Sequence, residues 1–512
     1  MKKVVVKILL FIVLLISVLQ SILISYPSRI SVEEKKDSGY QAMWEHLKII
    51  SAFPHETGTI ENQAVAGYIM QNAEKYGFEV DRIPFTITEE DYAKQLEKIN
   101  GGIPLSKSYL KEMIEINQHV FDKHMENILV KIDRPKSDHA IMFVAHYDSV
   151  ATSFGAADDG LAVACMLELM HYFSENLPQN DIFLLFTDAE ELGLFGAANL
   201  VENYSEYRNQ VDIVFNFEAR GNSGVLTMFE SSANNYELVL HLQKSVPNAH
   251  AFSLATAIYD QMPNGTDFSE FKNAGYLGLN FAMIDGAKHY HQVSDSWDRL
   301  DENSAWHYFQ TIRALGNYFG DINMRTIQYE REAVFFPVFP GEILVLPDWI
   351  GYVLSILAAG LAFRLIFWTI QRREQYPYKV FRRIFGIFLL GASPIAVALL
   401  FFAGSYLVSI PFLLLLFLEF IRMHGEREWV KLACLMLIVT VYITIILFVP
   451  IIFMIHLAIN IPLITTGFIL IPMIPMSIYI RNIMRDIDLK QQKTAQYTVE
   501  DPSGNVQINQ VF

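Results

Sequence analysis

Hydrophobic and polar positions follow different patterns along the chain and divide it into segments. The first residues, MKKVVVK, are basic and precede an apolar run of about 20 residues, which is long enough to cross a bilayer. Further long apolar runs follow Val345. Between these two regions, short apolar runs of strand length alternate with helical patterns. The pattern therefore predicts a soluble domain between membrane-spanning segments.

The segment from Val32 to Gln328 has the pattern of an α/β domain. Helical stretches, such as 160–175, lie between several short runs rich in β-branched residues. This alternation predicts a mixed, largely parallel sheet flanked by helices. A helix is also predicted over Asn62–Tyr76, where Gly77 ends it, and a charged helical insertion over 89–123. The predicted strands are NILVKI, AIMFVA, DIFLLFT, DIVFNF, GVLTMF and YLGLNFA.

The apolar runs after this segment predict an all-α transmembrane region. They lie near 347–369, 384–402, 405–421, 432–454 and 461–480, although the short third run also fits a re-entrant segment. No A-x-A-like cleavage site follows the first run of the chain, which favours an uncleaved anchor over a signal peptide. The predicted segments are a signal anchor over 1–31, a soluble domain over 32–328, a linker over 329–346, about five transmembrane helices over 347–482 and a polar tail over 483–512.

Basic residues between the predicted spans indicate their orientation. The loops 371–383 and 422–431 carry Arg and Lys, whereas the two short loops on the other side carry neither. Cytoplasmic loops are enriched in Lys and Arg. We therefore predict a multi-pass integral membrane protein with both termini in the cytoplasm and the soluble domain on the extracytoplasmic side. Because the spans lack the buried charges of ion pathways, we expect them to anchor the domain rather than to transport.

Charge and cysteine content narrow the chemistry of the soluble domain. The 512 residues carry a formal net charge of -16, and residues 345–512 hold 13 Lys and Arg against 9 Asp and Glu, so residues 1–344 carry -20. This acidic balance argues against a nucleic-acid partner. The two cysteines, Cys165 and Cys434, lie in different segments, which argues against a disulfide and a thiolate metal site. Any metal must therefore be held by His and carboxylates.

Ionisable side chains recur where the predicted strands end. His146 and Asp148 follow AIMFVA, and on an extended chain they point the same way. Asp148 can therefore orient the imidazole of a metal-binding His146. Glu190 and Glu191 follow DIFLLFT, and such a carboxylate pair is costly unless something positive lies nearby. One Glu would then bind a metal while its neighbour acts as a general base.

Three further segments carry candidate ligands. Asp158 and Asp159 precede a predicted helix, Glu218 ends a predicted strand, and His289 and His291 lie in the loop KHYHQVSDSWD. Taken singly, each has an ordinary alternative, such as a helix N-cap or a solvated loop. Taken together, they fall at the edge where the carboxyl ends of parallel strands meet. Oxygen and imidazole donors without thiolates are typical of a hydrolytic zinc site.

The order and wording of these segments resemble metallopeptidase family 28, the co-catalytic zinc aminopeptidases related to aminopeptidase Y. The resemblance covers roughly residues 40–325, and the apolar region after it resembles the membrane-bound branch that includes the endoplasmic-reticulum metallopeptidase and the vacuolar membrane protease. It implies a zinc exopeptidase-like fold, two zinc ions per chain and a peptide substrate. The matching segments are FPHETGTIENQAVAGYI, AHYDS, GAADDG, DAEELGLFGA, NFEARG, PNGTDFSEF and YHQVSDSWD.

The same resemblance implies a role for individual residues. It gives zinc ligands at His146, Asp158, Glu191, Glu218 and His291, with Asp158 bridging the two ions. Glu218 stands where many soluble members of the family have Asp. The resemblance also implies Glu190 as the general base, Asp148 as the partner of His146, and Tyr290 as a donor to the developing oxyanion. Thr266, Asp267 and Phe268 match a loop near the substrate pocket.

We therefore predict a membrane-anchored zinc exopeptidase with peptide and membrane lipid as its partners. Aminopeptidase rather than carboxypeptidase activity follows from the resemblance alone. A glutaminyl-cyclase-like zinc acyltransferase is an alternative that the ligand set does not exclude. The intact ligand set argues against the other alternative, a non-catalytic receptor-type ectodomain. The sequence does not predict the oligomeric state.

Overall fold

The computed structural model describes residues 26–350 and 353, apart from 103, 135–136, 138, 261–264, 328–329 and 340. The apolar part of the predicted anchor, nearly all of the predicted transmembrane region and the polar tail therefore lie outside the described residues. Among the residues that are described, no helix is long and apolar enough to cross a membrane.

Eight strands form one mixed sheet. They are β1 Glu79–Phe85, β2 Met125–Ile132, β3 Ala140–His146, β4 Asp181–Thr187, β5 Val211–Ala219, β6 Thr227–Ser231, β7 His250–Ala251 and β8 Gly278–Met283. The strand order is β1-β2-β4-β3-β5-β8-β6-β7. The central strands β4, β3, β5 and β8 run parallel to one another. The predicted mixed, largely parallel sheet is confirmed.

Helices cover the sheet on both faces. They are α1 Ser38–Ile50, α2 Ile60–Tyr76, α3 Glu89–Ile99, α4 Lys107–Asn117, α5 Leu161–Glu175, α6 Phe195–Asn203, α7 Glu206–Gln210, α8 Tyr236–Ser245, α9 Ser253–Tyr259, α10 Asp267–Asn273 and α11 Glu302–Asp321. One large core lies beneath α1, α5 and α11, and a second lies on the opposite face beneath α6 and α10. Every residue of β3 is buried, as expected for a parallel strand that is covered on both faces.

The ends of α2 show how local sequence sets an element. The hydroxyl of Thr59 accepts a hydrogen bond from the Asn62 amide at 3.2 Å, which caps the first turn. Gly77 then follows the helix with φ 78°, a left-handed conformation that favours glycine. The predicted helix over Asn62–Tyr76 is confirmed and begins two residues earlier, at Ile60.

The stretch that we expected to be a linker, 329–346, contains most of a hairpin of β9 Ala333–Phe339 and β10 Glu342–Pro347. Its inward-facing residues alternate with exposed ones, and they join the large core. Phe335 is 1% exposed, and its amide donates to the Ser253 hydroxyl at 2.8 Å. Most of the predicted linker therefore belongs to a strand pair packed on the domain.

If the hairpin is integral to the domain, shortening Phe335 must destabilise it. We expect Phe335→Ala to lower the free energy of unfolding by about 3–5 kcal/mol, because it leaves a cavity in the core. Leu344→Ala is the matched control, since Leu344 is 39% exposed and its loss should cost under about 1 kcal/mol. Urea unfolding of the full chain in detergent, followed by circular dichroism, measures both. Equal effects of the two substitutions would contradict an integral hairpin.

Candidate metal centre

Five ionisable side chains converge at the carboxyl edge of the sheet in two overlapping groups. His146, Asp158 and Glu218 form one group, and Asp158, Glu191 and His291 form the other. Within each group the donor atoms lie within 4.8 Å of one another. Asp158 belongs to both groups. The structure thus brings together all five residues that the sequence analysis selected as metal ligands.

Asp158 faces a different imidazole with each of its carboxylate oxygens. Its Oδ1 lies 3.4 Å from His146 Nε2, and its Oδ2 lies 3.3 Å from His291 Nε2. The Glu218 carboxylate is 3.9 Å from the first nitrogen, and the Glu191 carboxylate is 3.0 Å from the second. Both Nε2 atoms are buried without a hydrogen-bond partner among the described residues. Each imidazole therefore presents a free nitrogen to two carboxylates.

The sheet explains why these side chains meet. His146 is the last residue of β3, and Glu218 lies near the end of the parallel neighbour β5. Glu191 follows β4, and His291 lies in the loop after β8. Because the four strands are parallel, their carboxyl ends share one edge. Residues far apart in sequence thereby line the same cleft.

A tight turn before α5 holds Asp158 in place. Gly155 adopts φ +60°, and a Cβ there would lie 2.8 Å from the Ser149 Cβ, so the turn requires glycine. The carboxylate of Asp295 accepts hydrogen bonds from the backbone amides of Ala157 at 2.8 Å and Asp158 at 3.2 Å. Asp295 lies in the motif YHQVSDSWD, whose sequence alone indicates no role for it. The structure shows that it positions the shared carboxylate.

Asp148 differs from expectation in how it acts on His146. The Asp148 backbone carbonyl lies 2.9 Å from His146 Nδ1, whereas its carboxylate is 3.5 Å away. A carbonyl can only accept, so Nδ1 carries a proton, and in the neutral imidazole the lone pair is on Nε2. The Asp148 carboxylate instead accepts the backbone amides of Glu190 and Glu191, each at 3.2 Å. Asp148 therefore joins β3, the histidine strand that ends at His146, to the turn that carries Glu190 and Glu191, the glutamate turn.

A second buried carboxylate, Asp188, lies beneath this turn. It accepts hydrogen bonds from the Ala189 amide at 2.9 Å and the Asn62 side chain at 3.1 Å, and the Thr57 hydroxyl is also 3.1 Å away. Burial and the nearby charge of Asp148 raise the pKa of Asp188 to about 7. Thr57 lies in the motif FPHETG, which carries part of the family resemblance. These residues support the turn rather than line the cleft.

The predicted helical insertion braces the same turn from the other side. In α3, the Gln95 side-chain amide donates to the Gly193 carbonyl at 2.9 Å. Tyr92 of the same helix stacks on Phe195, with ring centroids 6.0 Å apart. The charged pattern of this segment predicted its helices, but it did not predict that α3 contacts Gly193 and Phe195.

His291 and Tyr290 form one wall of the cleft. Their rings are stacked, with centroids 3.7 Å apart and planes at 23°. His291 has φ 59°, which is uncommon for a residue other than glycine, and its carbonyl accepts the Thr152 hydroxyl at 3.1 Å. Burial and the charge of Asp158 raise the pKa of the Tyr290 hydroxyl, which therefore stays protonated at neutral pH.

The three residues matched to a substrate loop have different surroundings. Phe268 is 0% exposed and lies in the core beneath α10, so its side chain does not line the cleft. The Thr266 hydroxyl accepts the Asn280 amide at 2.8 Å. Asp267 is buried and accepts the Thr187 hydroxyl. Only Asp267 is close enough to influence the pKa values of Glu190 and Glu218 through its charge.

The side chains alone leave excess negative charge in this cleft. Burial and neighbouring carboxylates raise the pKa of Glu191 to about 7 and that of Glu218 to about 8. The same causes raise the pKa of Glu190 well above its usual range. Burial also raises the pKa of Asp158, but the two imidazoles lower it more, to about 2. Buried carboxylates that repel one another favour the binding of a cation.

The donor set fits zinc. Each group combines an imidazole nitrogen with carboxylate oxygens, which are ligands that zinc accepts in hydrolytic sites. The orphaned Nε2 atoms of His146 and His291 are the feature that a metal would satisfy. The proton on His146 Nδ1 is held by a backbone carbonyl, an arrangement common around metal-binding histidines.

Comparison with known proteins agrees with this geometry. The sequence profile of peptidase family M28 matches residues 127–316, a range that includes all five residues of the two groups. The chain contains a peptidase family M28 domain. Over 300 residues it is 27% identical to a vacuolar membrane protease of Kluyveromyces lactis. The alignment covers 57% of this chain and 31% of that protein. The chain therefore spans about a third of the length of such relatives.

Solved structures also align with the M28 domain. An aminopeptidase from Aneurinibacillus sp. strain AM-1 shares 15% identity, with 57% of this chain and 97% of that chain covered and a TM-score of 0.41. A glutaminyl cyclase from Fimbriiglobus ruber shares 14% identity with the same coverage and TM-score.

If Asp148 joins the histidine strand to the glutamate turn, its loss should destabilise the M28 domain. Asp148→Ala removes the acceptor of two backbone amides, and we expect the free energy of unfolding to fall by about 1.5–3 kcal/mol. Glu74→Ala is the control, since Glu74 is an exposed carboxylate on α2. Thermal and urea unfolding of both variants measure the difference. A change within about 0.5 kcal/mol of the control would contradict the bracing role.

Proposed function

We propose that the chain is a membrane-anchored, zinc-dependent exopeptidase that removes residues from the amino end of peptides. The observation that carries this proposal is the Asp158 carboxylate, whose two oxygens face two separate imidazoles. A shared carboxylate with an imidazole and a second carboxylate on each side suits two neighbouring zinc ions. His146 and Glu218 would bind one ion, Glu191 and His291 the other, and Asp158 both.

Glu190 is the proposed general base. Among the described residues its carboxylate makes no hydrogen bond or ion pair, and it belongs to neither donor group. Its pKa is raised by burial and by the charge of Glu218, which brings it nearer to the range of an effective base at neutral pH. Its neighbour Glu191 faces His291 and is left to bind metal.

The proposed reaction is hydrolysis of a peptide bond. When bound, the zinc ions act as Lewis acids that polarise the scissile carbonyl and acidify water. Glu190 takes a proton from the attacking water and later delivers it to the leaving amine. The hydroxyl of Tyr290, protonated at neutral pH, donates a hydrogen bond to the carbonyl oxygen as negative charge develops on it. Asp148 holds the glutamate turn in position, and Asp295 holds Asp158.

Substituting Glu190 and Glu191 separately tests this division of roles. Glu190→Gln keeps the size of the side chain and loses its basicity, so we expect kcat to fall about 10²- to 10⁴-fold while zinc content stays near that of the wild type. Glu191→Gln should instead lower zinc content. Peptide hydrolysis and elemental analysis of the purified full chain measure both. Near-full activity of Glu190→Gln would rule out its role as the base.

The same preparation separates the proposal from a glutaminyl-cyclase-like activity. Two zinc ions per chain and release of amino acids from peptides with a free amino end are the expected results. One zinc ion per chain, with cyclisation of N-terminal glutamine and no release of amino acids, would replace the peptidase proposal. Peptides blocked at the amino or the carboxyl end distinguish an aminopeptidase from a carboxypeptidase.

Membrane anchoring is supported by the sequence and by the relatives. The apolar runs and the basic loops agree on six spans, with both termini in the cytoplasm. The relatives that match this chain are named vacuolar membrane proteases. The M28 domain would then act on peptides at the extracytoplasmic surface, next to membrane lipid.

Labelling of single cysteines in intact cells tests this topology. We expect a cysteine placed in the 371–383 loop to resist a membrane-impermeant thiol reagent, because the loop is cytoplasmic. A cysteine at exposed Glu74 in the M28 domain should react. Both are made in a Cys165→Ala, Cys434→Ala background. Labelling of the 371–383 loop from outside would overturn the topology, and a shortened amino end of the mature protein would remove its first span.

A further inference from the structure

Arg220 is a charged side chain at the cleft that the proposed mechanism does not use. It follows the candidate ligand Glu218 by two residues at the end of β5 and is half-buried. Its backbone amide donates to the Met283 carbonyl at 2.7 Å, which ties it to the end of β8. The backbone at this position is therefore held, and the side chain extends from a fixed point at the sheet edge.

The guanidinium of Arg220 lies over the ring of Tyr290, with 5.1 Å between its carbon and the ring centroid. The ring of Tyr290 also stacks on His291. The stack places a permanent positive charge one ring away from a candidate zinc ligand. The hydroxyl of Tyr259, close enough for the charge of Arg220 to affect its pKa, is buried without a hydrogen-bond partner among the described residues.

This guanidinium has no partner of opposite charge in the described part of the chain. No carboxylate oxygen there lies within 4.0 Å of its nitrogens, and its side chain donates no hydrogen bond. Two other arginines of the described residues lie over a tyrosine ring, and both have partners. Arg208, over Tyr276, donates to the carbonyls of Ala274 and Gly275, and Arg313, over Tyr172, pairs with Asp37 at 3.1 Å. A half-buried guanidinium with five free N–H donors can bind a carboxylate through two parallel hydrogen bonds.

We propose that Arg220 binds a carboxylate of the substrate on the leaving-group side of the scissile bond. The inference rests on the proposed peptidase function and adds a substrate class to it, namely dipeptides and peptides with an acidic second residue. In a dipeptide, the free carboxylate is one residue beyond the scissile carbonyl, about 3.8 Å along the chain. Arg220 and the candidate ligand His291 both lie against the ring of Tyr290, so the guanidinium is near the metal centre without belonging to it.

Two other roles for Arg220 predict different behaviour. If Arg220 only balanced the negative charge of the ligand groups, its removal would change zinc binding. If it acted only through Tyr290 on the oxyanion, its removal would slow every substrate by the same factor. A carboxylate-binding residue changes the ratio between substrates that carry a carboxylate and substrates that lack one.

The experiment compares four substrates with the same first residue X, chosen as the residue that the wild type cleaves best from X-p-nitroanilide. The dipeptide X-Gly carries a terminal carboxylate, X-Gly-amide and X-p-nitroanilide carry none, and X-Asp-amide carries only a side-chain carboxylate. We expect Arg220→Gln to lower kcat/KM about 10- to 100-fold for X-Gly, the loss typical of a charge-assisted hydrogen bond, and to leave X-Gly-amide and X-p-nitroanilide near their wild-type values.

The substrate with the side-chain carboxylate identifies the source of the bound group. An effect of Arg220→Gln on X-Gly alone assigns the terminal carboxylate, and an effect on X-Asp-amide assigns the acidic side chain. Arg208→Gln is the matched control and should alter none of the ratios. Arg220→Lys keeps the charge and loses the planar fork, so it should retain part of the preference for X-Gly.

Three outcomes would overturn the inference. They are an equal loss for all four substrates, a loss of zinc from Arg220→Gln that Arg220→Lys restores without any change in the substrate ratios, and a wild type that prefers neither X-Gly nor X-Asp-amide to X-Gly-amide. A wild type that binds zinc yet releases no amino acid from any of the four substrates would instead refute the proposed function.

Discussion

The arrangement of the site depends on one buried carboxylate that two imidazoles share. Asp158 directs one oxygen to His146 and the other to His291, and each imidazole also faces a glutamate. Such a cluster is unfavourable by itself, because burial and mutual repulsion raise the pKa of both glutamates. Two divalent cations would reverse the balance, since they satisfy the orphaned Nε2 atoms and replace repulsion by coordination. The same packing that is costly without metal thus creates affinity for it.

Backbone amides, rather than side-chain contacts, hold the acidic groups where the sheet ends. Asp148 accepts the amides of Glu190 and Glu191, and Asp295 accepts those of Ala157 and Asp158. A carboxylate that accepts two backbone amides fixes the path of a loop as well as its own position. Loops after three different strands are coupled in this way, so the candidate ligands meet at one edge although no helix or strand carries more than one of them.

Much of this could be predicted from the sequence, for definable reasons. The runs AIMFVA and DIFLLFT are almost wholly buried, and their alternation with helical patterns indicated parallel strands, with candidate ligands at their ends. The role of Asp148 could not be predicted, because HxD spacing does not distinguish a bond through the carbonyl from one through the carboxylate. Phe268 lies in the core although it flanks Asp267, since side chains in one helical turn point to different faces. The hairpin that begins at Ala333 was not predicted, because the sequence around its prolines does not show which strand each residue pairs with.

The charged groups at the carboxyl edge of the sheet are of two kinds, those that accept hydrogen bonds from the protein and those that have no partner in it. Asp148, Asp188 and Asp295 each accept two or more hydrogen bonds from the loops around them, so they fix the geometry of those loops. Glu190 and Arg220 lack partners among the described residues, and a half-buried charge without a partner is unfavourable in the resting protein. Water or a bound species can complete such groups in an open cleft. The unpaired base and the unpaired guanidinium both lie at the sheet edge that carries the shared carboxylate, so the attacking water and the substrate, rather than the protein, would supply the missing partners.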